Sequence, residues 1–210
     1  GTLYAGQNKF ASAEKYLKMS IERKNFDAYN DLGILYNNNN KPELAEKYYL
    51  LAVEKDDFYA SKNLGRIYKN QEKYDLAEKY YLMAVEEESD TGMYNLGLLY
   101  DNQKKYTLAE KYYLMAIQNN YSDAMYNLAL LYDNQEKFSL AEKYYLMAIK
   151  ENDSDAMYNL ALIYDNQKKY PLAEKYYLMA VEANDSDATF NLALLYDNQK
   201  KYNLAEKYYL

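Results

Sequence analysis

The string Ala-Glu-Lys-Tyr begins at Ala13, Ala45, Ala77, Ala109, Ala141, Ala173 and Ala205, each copy 32 residues after the last and without a slip. A chain that repeats at so short a period has no room for independent globular cores; it is one supersecondary unit copied along a line. Asn-Leu-Gly or Asn-Leu-Ala keeps the same phase at Asn63, Asn95, Asn127, Asn159 and Asn191, with Asp31-Leu32-Gly33 as an earlier variant. On that phase residues 26–57, 58–89, 90–121, 122–153 and 154–185 are full units, and 1–25 and 186–210 are partial ones. The whole chain, 1–210, therefore reads as a single array.

Each unit predicts two helices. In 122–153 the first runs from about Asp123 to Asp133, with Ala124, Leu128, Leu131 and Tyr132 at helical spacing. Asp153-Ser154-Asp155 supplies the N-cap signal for the next one. The second starts at Ser139, which has Glu142 at capping-box distance, as Thr107 has Glu110, Asp75 has Glu78 and Asn203 has Glu206. Pro171 fills the same slot in its unit, where a first turn tolerates it, and Asn134 to Lys137 form the turn. The second helix carries two apolar stripes, Ala141, Tyr145, Ala148 and Leu140, Tyr144, Met147. A lone hairpin buries one of them, so the other requires the neighbouring hairpin and the units must stack. Gly33, Gly65 and Gly97, replaced by Ala129, Ala161 and Ala193 in later units, mark where backbones approach closely. Lying inside predicted helices with no glycine cluster around them, these glycines do not form a phosphate loop.

Composition narrows the function. There are 30 Tyr but no His, Cys or Trp. The interior is amphipathic, and its hydroxyls must find partners or the rim. Without imidazole or thiolate there is no usual zinc site and no familiar nucleophile and base pair, so no catalytic residue, metal site or cofactor is expected. A net charge of -7 opposes nucleic-acid binding. No stretch is apolar enough to span a membrane, and residues 1–10 lack the regions of a signal peptide. The absence of cysteine fits a reducing, cytoplasmic setting, which is weakly favoured, without excluding an oxidising one; use of its N-glycosylation sequons would make the chain extracellular.

The residues that keep phase, Met125, Leu128-Ala129, Tyr132, Phe138, Ala141, Tyr145 and Ala148, resemble the tetratricopeptide repeat pattern of Leu-Gly and Tyr in a first helix and aromatic, Ala, aromatic, Ala in a second. The resemblance covers the whole chain. It implies an all-α, right-handed superhelical solenoid of helix-turn-helix repeats whose first helices line a concave, protein-binding surface. The family period is about 34 residues; here it is 32, and the shortening falls in the turn between units, where the family's proline is missing (Asn152-Asp153-Ser154). A tighter turn alters superhelical twist and groove shape.

Helical spacing marks a face outside the core stripe. It carries Tyr94, Leu98 and Asp101; Tyr126, Leu130 and Asp133; Tyr158, Leu162 and Asp165; and Phe190, Leu194 and Asp197. Its aromatic and aliphatic centre with acidic rims suits a partner segment bearing apolar anchors and basic flanks, although these residues can equally pack on adjacent first helices. Lys62, Arg66 and Lys69 break the pattern with a local basic patch, for which pairing with acidic residues of the next helix is the plainer alternative. Lys62 and Asn63 also sit at two positions that some family members use to clamp a C-terminal carboxylate, but Asn30 and Tyr94 replace the other basic residues of that clamp. Asp101, Asp133, Asp165 and Asp197 lack the pattern of a calcium loop. Asn120, Asn152 and Asn184 head sequons in the inter-unit turns; they would be N-glycosylated only on a secreted chain, and turns favour Asn in any case.

The chain begins in the phase of a first helix and stops within a second, with neither end capped. It is then either a segment of a longer array or a unit that stacks end to end on further copies. The expected function is a non-enzymatic scaffold binding a protein or peptide in the first-helix groove; the alternative is a structural protein whose units stack into a fibre or filament.

Overall fold

The computed structural model describes residues 2–57 and 59–209, with side chains from Lys9 onward. Gly1, Phe58 and Leu210, at the start of the array, the head of unit 58–89 and the end, lie outside the described residues. The described chain is helical throughout: α1 (Thr2–Glu22), α2 (Ala28–Asn38), α3 (Pro42–Val53), α4 (Tyr59–Asn70), α5 (Tyr74–Glu86), α6 (Asp90–Asn102), α7 (Tyr106–Gln118), α8 (Asp123–Asp133), α9 (Phe138–Lys150), α10 (Ser154–Asn166), α11 (Tyr170–Glu182), α12 (Ser186–Asn198) and α13 (Tyr202–Tyr209). It forms two compact units, 1–112 and 113–210, which divide within α7.

The helices are separated by one turn, used over and over. Twelve residues, Lys24, Asn40, Asp56, Glu72, Glu88, Lys104, Asn120, Glu136, Asn152, Lys168, Asn184 and Lys200, have left-handed φ between 53° and 66°, and they fall every 16 residues. Around Glu136 its own N–H donates to the Asp133 carbonyl at 2.8 Å and the Lys137 N–H to the Tyr132 carbonyl at 2.9 Å, which is a Schellman C-cap. The same pair of bonds recurs at the other eleven. The 32-residue period is thus two equal half-periods, and the turn between units is as tight as the turn within one. That uniformity is where the two residues of the longer family period are lost.

Helix starts follow the local sequence. Ser89, Asp153 and Asp185 sit in extended conformation before α6, α10 and α12, and each side chain accepts from the backbone N–H three residues on, at 3.1, 2.8 and 2.9 Å. Unit 122–153 has Tyr121 at this position; Ser122 makes no capping bond and α8 starts only at Asp123. Pro42 and Pro171 occupy first-turn positions of α3 and α11.

Three expectations change. The capping boxes do not form: α5 and α9 begin at Tyr74 and Phe138, one residue ahead of Asp75 and Ser139, and their N-caps make no side-chain bond. The Glu of the box works between hairpins instead. Tyr36, Tyr68, Tyr100 and Tyr196 donate through Oη to Glu14, Glu46, Glu78 and Glu174 of the preceding second helix at 2.8 to 3.0 Å. Next, Leu140 is not covered by the neighbouring hairpin; it is 40% exposed, while Tyr144 of the same stripe is buried. Finally, α1 runs straight through residues 8 and 9, where every other unit turns.

Within each compact unit the packing has two layers. First helices pack side by side, α2 on α4, α4 on α6 and α10 on α12; each second helix seats on its own first helix and on the next, α3 on α2 and α4, α11 on α10 and α12. The core between the layers is a repeated cluster, represented by Leu128, Ala129, Leu131, Ala141, Tyr145 and Ala148. The tyrosine that reaches across to Glu is also a stacking partner: Tyr36 on Tyr48, Tyr68 on Tyr80 and Tyr164 on Tyr176, with ring centroids 5.2 to 5.7 Å apart. Lys41, Lys73 and Lys169 lie over the Tyr36, Tyr68 and Tyr164 rings at 5.6 to 5.9 Å, adding cation–π attraction. Most tyrosines therefore belong to interfaces.

Candidate protein-binding face

The face marked by spacing exists in both compact units, on the side of the first helices turned away from the second. Lys62, Lys69, Tyr94, Leu98, Asp101, Tyr126, Leu130, Asp133, Tyr158, Leu162 and Asp165 are half-buried, whereas Arg66, Phe190, Leu194 and Asp197 are exposed. Aromatic and aliphatic side chains are thus left open to solvent in a molecule whose core closes without them.

Part of the face also serves packing. Tyr126 lies 6.0 Å from the ring of Tyr145 beneath it, and Tyr158 lies 6.2 Å from Tyr177. Their hydroxyls accept from Asn159 and Asn191 of the next first helix, at 3.2 and 3.1 Å. These Asn also donate to the carbonyls of Asp155 and Asp187 one turn earlier, at 2.9 Å.

The aspartates of the face are tied to the core. Burial raises the Asp133 and Asp165 carboxyls above the ordinary range, and the facing hydroxyls of Tyr145 and Tyr177 partly offset the rise. The same burial, then the nearby carboxylate, pushes both phenols up. Neither hydroxyl is within hydrogen-bond geometry of its carboxylate. The acidic rim therefore combines half-buried Asp133 and Asp165 with exposed Asp123, Asp155 and Asp187 at the helix starts.

Unit 58–89 differs. Lys62, Arg66 and Lys69 make no ion pair among the described residues, so the pairing with acids of the next helix does not form. Here the tyrosine equivalent to Tyr145 is Tyr81, and its ring lies close against Gly65. A Cβ at Gly65 would meet Tyr81 ring carbons at 2.4 Å, as one at Gly33 would meet Tyr49. The Tyr49 and Tyr81 hydroxyls are buried without a partner, and their pKa is pushed up to about 12 by burial, with Arg66 pulling both down.

Sequence reasoning missed a cleft of about 770 Å3 in the first compact unit, bordered by Asp27, Asp31, Asp57, Glu88, Asp90 and Lys62. Its acids come from turns about one repeat apart, so only stacking assembles them. Burial raises the Asp57 carboxyl; the Tyr59 N–H bond to it opposes this, and Asp27 and Asp31 add to it. Among the described residues no three acids converge as a metal site. The sequon residues Asn120, Asn152 and Asn184 are exposed and hold the left-handed turn position, which Asn tolerates better than other non-glycine residues.

Tetratricopeptide repeat family models match residues 1–60, 62–124, 126–188 and 186–210, and the chain belongs to that family, a class of protein-interaction repeats. Comparison with curated protein sequences gave no match. Among solved structures, the chain is similar to PilF of Pseudomonas aeruginosa, with TM-score 0.74, 22% identity and 87% of this chain against 88% of that one. It is also similar to c5321, a protective antigen of uropathogenic Escherichia coli displaying an SLR fold, with TM-score 0.73, 19% identity and 88% of this chain, which spans only 44% of c5321. YrrB, a TPR protein with an unusual peptide-binding site, aligns with TM-score 0.60 and 21% identity over 76% of this chain and 88% of its own. The likeness to these structures is one of fold.

Proposed function

We propose that the chain is a non-enzymatic scaffold that holds a partner segment along the face formed by its first helices. The observation that carries this reading is the row Leu130, Leu162 and Leu194 on successive first helices, half-buried at the first two and exposed at the third, so that part of each side chain is open to solvent. Such a row offers apolar anchor sites at a regular spacing, and exposed Asp123, Asp155 and Asp187 beside it favour a segment with basic flanks. A peptide-binding site in YrrB, which has the same fold, is consistent with this use.

The test uses Leu130→Ser and Leu162→Ser together, since substituting Tyr126 or Tyr158 would also disturb packing. Binding of an end-blocked peptide with apolar residues and Arg flanks, followed by fluorescence anisotropy, should weaken by roughly tenfold or more, with helicity by circular dichroism unchanged. Unchanged affinity would place any binding surface elsewhere.

A further inference from the structure

In the second compact unit the turns stand at two opposite ends of the helices, because each first helix runs from an inter-unit turn to a within-unit turn and the second helix returns along it. At the within-unit end Lys137, Lys168, Lys169, Lys200 and Lys201 are all exposed, and Glu136 is the one acid in those turns. At the inter-unit end Asp123, Glu151, Asp155, Glu182 and Asp187 are exposed, and Lys150 is the one base among them. The side chains beside the charges differ as well. Phe138, Tyr170 and Tyr202 open the second helices at the basic end with 39 to 62% of each residue exposed; the acidic end carries exposed Asn120, Asn152 and Asn184 instead. One end thus presents lysine and phenol donors on exposed rings, the other carboxylate and amide acceptors. A first helix such as α10, 13 residues long, holds the two ends about 20 Å apart. That is more than twice the Debye length of about 8 Å in physiological salt, so neither end neutralises the other.

We infer that the basic end of these helices in one copy docks against the acidic end in a second copy of the chain, the two lying side by side. The chain itself carries the complement of each surface, and both rows advance together, one turn per 32-residue unit. Three basic turns therefore meet three acidic turns. An exposed ion pair is worth little alone, but contacts linked on one rigid edge reinforce one another, and the exposed rings add area of the kind that interfaces favour. The contact joins two different surfaces, so each copy keeps one free basic end and one free acidic end, and the row can grow. It involves neither the terminal helices that end-to-end stacking would join nor Leu130 and Leu162 of the groove.

Sedimentation velocity of the full chain in about 0.1 M salt should show a weight-average mass that rises with concentration. In about 1 M salt, where the Debye length is about 3 Å, the mass should stay that of a monomer. Lys168→Glu with Lys200→Glu should weaken self-association by roughly tenfold or more; glutamate already holds the same left-handed turn position at residue 136, so the fold accepts it. Glu151→Lys with Glu182→Lys should weaken it equally, since lysine stands at the equivalent positions 55 and 150. Mixed in equal amounts, the two double variants should form a dimer and nothing larger: the intact acidic end of the first meets the intact basic end of the second, and both outward ends are disabled. Lys143→Glu with Lys175→Glu, exposed along α9 and α11, makes the same change in net charge as the first pair and should leave association as it was. A chain that stays monomeric at every concentration in 0.1 M salt, or a mixture that stays monomeric, overturns the inference. Association that persists in 1 M salt and in both variants would belong to another surface and would overturn it too.

Discussion

Units 26–57 and 58–89 bury the same tyrosine as units 122–153 and 154–185, but in a different way. In the early pair a glycine, Gly33 or Gly65, lets the ring of Tyr49 or Tyr81 lie against the first-helix backbone. In the later pair Ala129 or Ala161 fills that space; Tyr145 and Tyr177 instead approach Tyr126 and Tyr158 and turn their hydroxyls toward Asp133 and Asp165. One methyl group thus travels with a whole set of substitutions on the outer face. Ala goes with Tyr, Leu and Asp at the positions where glycine in unit 58–89 goes with Lys, Arg and Lys. The core choice and the surface chemistry of a unit are linked through one tyrosine.

Breaking the link should have the largest effect. Gly65→Ala gains helix propensity of up to about 1 kcal/mol but drives a Cβ into the Tyr81 ring, and overpacking of that kind costs about 1 to 3 kcal/mol. A net loss of roughly 1 to 2 kcal/mol is expected, read as faster amide hydrogen exchange in α4 and α5, because a repeat array need not unfold in two states. Adding Lys62→Tyr and Lys69→Asp should recover most of it by recreating the seat that Tyr145 uses. Ala161→Gly, the reverse change, meets no clash and should cost only the propensity difference. If Gly65→Ala is neutral by itself, the glycine and the ring position are not coupled.

Removing single hydroxyls tests the other half of the comparison, at about 1 kcal/mol or less. Tyr81→Phe and Tyr49→Phe delete buried polar atoms that lack partners, which should be neutral or stabilising by up to about 1 kcal/mol. The Tyr145 and Tyr177 hydroxyls also lack a hydrogen-bond partner but favour the charged form of half-buried Asp133 and Asp165, so Tyr145→Phe and Tyr177→Phe should destabilise, by no more than about 0.5 kcal/mol. Local exchange rates in α3, α5, α9 and α11 give the four values. The same sign at all four sites would mean that the early and later tyrosines are equivalent.

Much of this fold was readable in the sequence, because period, stripe and cap signals repeat in each copy. The first helix from Asp123 to Asp133 and the Asp153 cap stand where the spacing placed them. The failures have a common cause. Glu78 at capping-box distance from Asp75 had two possible partners, and the tyrosine of the following hairpin, invisible to local spacing, took it. Leu140 stayed exposed because neighbouring second helices are spaced by the first helices between them. The face residues were found as a row, but their division into packing tyrosines and open leucines depends on Asn159 and Asn191 one unit away. Ring position over Gly or Ala is set by a single atom, which no periodicity reports.

The turns supply the smallest contrast between early and later repeats. In the inter-unit turns the left-handed position is Lys24, Asp56 or Glu88 early and Asn120, Asn152 or Asn184 later. A side chain with Cβ costs about 1 kcal/mol there relative to glycine, and Asn recovers part of this through local hydrogen bonding. Glu88→Gly should therefore stabilise by about 0.5 to 1 kcal/mol, and Asn152→Gly by only a few tenths, since glycine also adds freedom to the unfolded chain. The within-unit turns give a control, because Glu136 and Lys168 belong to later units yet are not Asn; Glu136→Gly and Lys168→Gly should match Glu88→Gly rather than Asn152→Gly. Thermal midpoints of the four variants, measured under one buffer, rank them. If instead Asn152→Gly gains as much as Glu88→Gly, then Asn offers the turn no conformational advantage, and the recurrence of Asn at residues 120, 152 and 184 must be explained by something other than backbone geometry.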